Sequence, residues 1–101
     1  MQNRALSMLG LAEKARKVVS GEFSVENAVR AYKAYLVIVA TDASDNTKKN
    51  FSDMCRYYGC ELRFYGTKDE LGYAIGKQFR ASVAVLDENL AKAIAQKIDL
   101  V

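Results

Sequence analysis

Hydrophobic and polar positions along this chain alternate between two rhythms. Residues 3–15 are rich in Ala, Leu and Glu/Lys and place Leu6, Leu9 and Ala12 on one stripe, which predicts a helix. Val18 and Val19 make a very short strand, stopped by Ser20-Gly21. A second helix follows, with Val25, Ala28, Val29 and Tyr32 at the i, i+3, i+4, i+7 spacing. The run Tyr35–Thr41 (YLVIVAT) has no polar alternation and strong β propensity, as expected of a strand covered on both faces. The pattern then repeats. Ser44 is the N-cap of a helix that carries Phe51, Met54, Cys55 and Tyr58 on one face and stops at Gly59. Residues 60–65 (CELRFY) form a shorter strand. Thr67-Lys68-Asp69-Glu70 has the form of a capping box and opens a helix that ends at Gly76. Ser82–Leu86 (SVAVL) is the next buried strand, and a last helix from Asp87 buries Leu90, Ala91, Ile94, Ala95 and Ile98. Helix and strand alternate throughout, which predicts an α/β fold, a three-layer α-β-α sandwich around a mixed sheet of about four strands.

Composition sharpens this reading. A chain of 101 residues, half of them hydrophobic, fits one compact domain spanning 1–101. No stretch approaches the ~20 apolar residues that span a bilayer. The N-terminus lacks a basic run before a long apolar segment, so neither a signal peptide nor a membrane partner is expected. The expected setting is the cytoplasm and the expected state a monomer. Histidine is absent, which excludes Ser-His-Asp and Cys-His nucleophile systems, and neither GxGxxG nor a Walker loop is present. The chain therefore reads as a non-enzyme with no catalytic residue, metal or cofactor. Gly72 and Gly76, at small-xxx-small spacing, read as close helix packing. Asp42 and Asp45 read first as turn and cap formers. Cys55 and Cys60, five positions apart, read as buried or half-buried free thiols.

The formal charge of +3 says little, but its distribution says more. Residues 1–50 hold eight Lys/Arg against five Asp/Glu, whereas residues 51–101 hold seven of each, and Lys14, Arg16 and Lys17 are bunched. These precede the Ser20-Gly21 turn, whose glycine opens a helix and lets a nucleic-acid backbone approach its free amides. Lys48 and Lys49 begin the third helix, Lys68 begins the fourth, and Lys77 and Arg80 flank Phe79 before the last strand. Cations interleaved with an aromatic suit RNA, where the ring stacks on an unpaired base while the charges hold phosphates.

Three stretches carry a resemblance: Leu9-Gly-Leu-Ala-Glu-Lys-Ala-Arg-Lys-Val-Val-Ser-Gly21, Ala40-Thr-Asp-Ala-Ser-Asp-Asn-Thr47, and Leu71-Gly-Tyr-Ala-Ile-Gly76 followed by Ser82-Val-Ala-Val85. Together they resemble the family of ribosomal proteins L-seven-Ae and L-thirty-e, in its bacterial YlxQ-type branch, over almost the whole chain. The resemblance implies a three-layer sandwich that binds kink-turn or related structured RNA, ribosomal RNA included, with a ribosomal or translation-factor protein as a second class of partner. It puts the grip at the turn and helix from Gly21, with further contacts from the loop around Asp42–Lys48, from Lys68, and from the loop Lys77–Ser82. The implied RNA-binding set is Lys17, Gly21, Phe23, Ser24, Asn27, Asp42, Lys48, Lys68, Lys77, Phe79 and Arg80. One departure stands out. Kink-turn binders carry Gly-x-Asn-Glu-x-x-Lys at the helix start, and here Phe23, Ser24 and Asn27 occupy the Asn, Glu and Lys places. Ser24 and Asn27 still hydrogen-bond a base edge, but without charge assistance, a loss of roughly 1–3 kcal/mol for each base contact. The same departure favours an alternative reading, a protein-interaction module in which Phe23 and Phe79 are apolar anchors.

Overall fold

The computed structural model describes residues 3–100. Nine elements follow in chain order: α1 (Arg4–Lys14), β1 (Val18–Ser20), α2 (Glu22–Arg30), β2 (Leu36–Val39), α3 (Asp45–Tyr58), β3 (Glu61–Phe64), α4 (Lys68–Ala74), β4 (Ser82–Val85) and α5 (Glu88–Asp99). Local chemistry sets most helix ends. Asn3 accepts the Leu6 amide to start α1, Ser44 accepts the Thr47 amide to start α3, and Asp87 accepts the Leu90 amide to start α5. At α4 the capping box is complete, the Thr67 hydroxyl taking the Glu70 amide and the Glu70 carboxylate taking the Thr67 amide.

The sheet order is β1-β4-β2-β3, with β2 and β3 parallel and β4 antiparallel to both of its neighbours. Helices α1, α4 and α5 pack together on one face, and α2 and α3 on the other. This explains the two uninterrupted apolar runs. Successive strand residues point to opposite faces, and every residue of β2 and β4 is buried because both faces are covered. Edge strand β3 is more open, with Glu61 and Phe64 exposed. Phe51, Leu9, Leu36, Ile38, Leu71 and Ile94 are the largest fully buried side chains of the core. No helix among the described residues is long and apolar enough to cross a membrane.

The differences from the expected elements have physical causes. β2 stops at Val39, because the Ala40 amide turns to the Ala81 carbonyl and the Thr41 amide to Gly66. Tyr32 does not share the buried stripe of α2. The helix ends at Arg30, and Tyr32 takes a left-handed φ of 58° that turns its ring outward, 72% exposed. Gly72 serves close packing, but against a loop and not a helix. A Cβ there would lie 1.9 Å from the Gln78 carbonyl oxygen, so the segment after α4 folds back directly onto it.

Candidate nucleic-acid interface

Strand directions decide where the loops gather. β1, β2 and β3 all end at the same edge of the sheet, and β4 begins there: Ser20 pairs with Val83, Val39 with Ser82, and Phe64 with Val39. Helices α2, α3 and α4 each follow one of those strand ends, so three helix N-termini, with their partial positive charge, share one end of the molecule.

Hydrogen bonds knit these loops into one surface. The Gly21 amide donates to the Ser82 carbonyl at 3.0 Å, and the Arg80 Nε donates to the Ser20 hydroxyl at 3.1 Å. The Arg80 amide donates to the Lys68 carbonyl at 3.0 Å, and the Lys68 amide donates to the Asp42 carboxylate at 2.8 Å. Thr41 donates both its amide and its hydroxyl to the Gly66 carbonyl. Asn50 of α3 donates to Glu26 of α2 at 2.6 Å, fixing the two helices side by side.

Within that frame α2 is the helix left open. Side chains cap α3 and α4, but Gly21 caps α2 with none, and the space where its Cβ would stand is empty. Its φ of 90° with ψ of 151° suits glycine alone, which ties the residue type to the turn. The Glu22, Phe23 and Ser24 amides therefore head a helix without a side-chain cap. Phe23, Ser24 and Asn27 are exposed beside them, and Phe23 is 77% accessible.

Phe79 is 61% exposed and so is not a core residue, and the Lys68 ammonium sits 5.9 Å from its ring centroid. Lys48 lies in the first turns of α3. Lys77 is exposed on the segment folded against α4, its amide donating to the Gly72 carbonyl. Lys48, Lys68 and Lys77 are in no ion pair among the described residues.

Three expected site residues sit differently. Asp42 holds the first turn of α4 through its carboxylate, a positioning task. Arg80 is also partly engaged, bonding Ser20 and the Phe79 carbonyl, so it braces the loop against β1. Lys17 lies away from the rest. Its carbonyl accepts the Leu86 amide next to the Val18–Val85 pair, at the opposite end of the three-residue strand β1 from Gly21. Ser20, Thr41 and Gly66, which tie the loops together, carried no signal in the sequence beyond being turn formers. Ser82, read as the start of a strand and the end of the Lys77–Ser82 loop, is buried at the head of β4 with a hydroxyl that has no hydrogen-bond partner.

Comparison with known proteins fits this geometry. The chain is 42% identical over 92 residues to the RNA-binding protein YlxQ of Bacillus subtilis, covering 91% of this chain and 92% of that protein. A solved structure of a Bacillus halodurans protein with unknown function superposes with a TM-score of 0.94 at 38% identity, over 97% of this chain and 99% of that one. The Giardia lamblia 15.5kD RNA binding protein shares the fold at a TM-score of 0.79 and 23% identity, over 95% of this chain and 82% of its own. The profile that matches residues 3–95 is that of the ribosomal protein L7Ae/L30e/S12e/Gadd45 family, and the chain belongs to that family.

Proposed function

We propose that this protein binds structured RNA, of a kink-turn-like or related internal-loop type, through the end of the sheet where α2, α3 and α4 begin, and that it does so in association with the ribosome in the cytoplasm. The observation that carries this reading is the coincidence there of an uncapped helix start, three cations without acidic partners, and two exposed phenylalanines. Backbone amides and a positive helix end hold a phosphate, lysines hold its neighbours, and Phe23 or Phe79 stacks on an unpaired base. The name of the Bacillus subtilis relative, an RNA-binding protein, supports the same reading. Binding, with no catalytic step, is the proposed activity.

Ser24 and Asn27 are then the base-reading pair, with neutral hydrogen bonds in place of charge-assisted ones. Titration against a kink-turn RNA and a matched duplex at two salt concentrations tests this. Tighter binding to the kink-turn, surviving the higher salt, is the expected result. Equal binding to both RNAs, abolished by salt, would leave a phosphate-holding surface without base reading. The high exposure of Phe23, at a position where the family pattern is polar, favours a second reading in which this end anchors a ribosomal or translation-factor protein. Nuclease-resistant retention of one protein on the purified chain would support that reading over the first.

A further inference from the structure

The end of α3 brings together two sulfurs that the RNA-binding surface does not use. Gly59 takes the left-handed conformation just past the helix, with φ of 70°, and the Cys60 amide donates back to the Cys55 carbonyl at 2.8 Å. That six-to-one bond is the signature of a Schellman ending, in which the side chains at these two positions meet across the turn. Standard bond lengths on either side of the 2.8 Å contact hold the two Cα atoms no more than about 6.7 Å apart. Disulfides form at Cα separations of roughly 4.4–6.8 Å.

The pair is asymmetric in its surroundings. Cys55 is buried against the core, whereas Cys60 is half-buried and lines a cavity of about 660 Å³ bordered by Tyr32, Tyr35 and Tyr58. The Cys60 thiol lies 3.4 Å from the Ala34 carbonyl and 3.6 Å from that of Glu61, and it donates to them. The nearness of Cys55 holds the Cys60 thiol below its ordinary value, while the nearness of Cys60 and burial push Cys55 up.

From this arrangement we infer that Cys55 and Cys60 form a two-cysteine modification site that closes to an intramolecular disulfide when a low-molecular-weight disulfide enters the tyrosine-lined cavity. Cys60, reachable from the cavity, is the attacking group. Its thiolate bonds to one sulfur of the incoming disulfide, and the other sulfur leaves as a thiolate with the electron pair of the broken bond. The Cys55 thiol then passes its proton to the small thiolate released in the first step and attacks the Cys60 sulfur, forming the Cys55–Cys60 bond and expelling the second small thiolate. Both small thiolates take up protons, so two protein thiols are oxidised as one small disulfide is reduced to two thiols. The closed bond fastens the end of α3 to the start of β3. It also removes the thiol hydrogen that Cys60 gives to the Ala34 carbonyl, in the wall beside Tyr35.

The test incubates the folded full chain with oxidised glutathione, alkylates the remaining thiols and measures intact mass, with peptide mapping of the product. A monomer lighter by two hydrogen atoms, refractory to alkylation at both cysteines and carrying no glutathione, is expected. Cys55→Ala should trap a stable glutathione adduct on Cys60, and Cys60→Ser should give almost none, with circular dichroism checking the fold of both. A stable adduct on the unaltered chain, a disulfide between two chains, or unreacted thiols would each overturn the assignment. The unaltered chain decides this alone should either variant fail to fold.

Discussion

The two ends of the sheet are built from similar residue types and put them to opposite use. At the end where α2, α3 and α4 begin, Lys48, Lys68 and Lys77 stand without acidic partners beside exposed Phe23 and Phe79. At the other end, four of the six tyrosines gather. Tyr58 meets both Tyr32 and Tyr57 edge to face, with centroids at 5.5 and 4.9 Å. Most cations near those rings have acidic partners: Arg30 has Glu26, Arg56 has Asp53, Lys92 has Glu88, and Arg63 has Asp99 and Glu61, whereas Lys33 and Lys17 at this end have none among the described residues. A polyanion responds to unpaired charge and open helix ends, so equal numbers of basic residues do not make equal binding surfaces. The overall +3 is therefore a poor guide, and the pairing of each cation decides.

Charge reversal should separate the two ends most strongly. Lys48→Glu combined with Lys68→Glu should weaken RNA binding roughly tenfold or more and flatten the slope of log affinity against log salt by about two. Arg30→Glu with Arg56→Glu, at the tyrosine end, should leave affinity within about twofold in the same titration. A comparable loss from both double variants would erase the distinction between the ends.

A smaller effect is expected from Gly72→Ala. Its new methyl meets the backbone of Gln78, which cannot swing aside, so thermal denaturation should show a loss of at least about 1–3 kcal/mol. RNA binding should fall as well, because the displaced segment carries Lys77, Phe79 and Arg80. Retained affinity in a destabilised Gly72→Ala would show that this loop does not touch RNA.

The smallest effect belongs to the far end. Hydrogen bonding from Arg63 holds the Asp99 carboxyl below the ordinary carboxylate range. A lowered folded value means that the stabilisation is present at neutral pH and is lost as pH falls through the carboxylate range. Asp99→Asn should flatten the acid limb of a stability–pH curve slightly and leave RNA binding unchanged, because Asp99 is solvent-exposed and remote from the loops.

How far the sequence could be read differs from element to element. β2 and β4 were legible because burial on both faces leaves an uninterrupted apolar run, and the caps at Ser44, Thr67 and Asp87 were legible because capping is local chemistry. Tyr32 was misplaced because the helical period continues to it on paper while the backbone has already turned left-handed. Lys17 and Gly21 look like one patch in sequence, but extended chain between them sends them to opposite ends of β1. The loop surface was visible as a scatter of cations. Its ties, Arg80 to Ser20 and Lys68 to Asp42, span 60 and 26 positions and leave no local trace.

The position of β4 has a consequence for how the chain acquires its shape. β4 is the last strand in chain order among the described residues, yet it lies between β1 and β2 and pairs with both. Until residues 82–85 are available, β1 has no partner and β2 has only β3, so the centre of the sheet is a late event in synthesis. Formation of the sheet must then close long chain loops at once, a slow, non-local step that leaves the apolar flank of β2 unpaired while it waits.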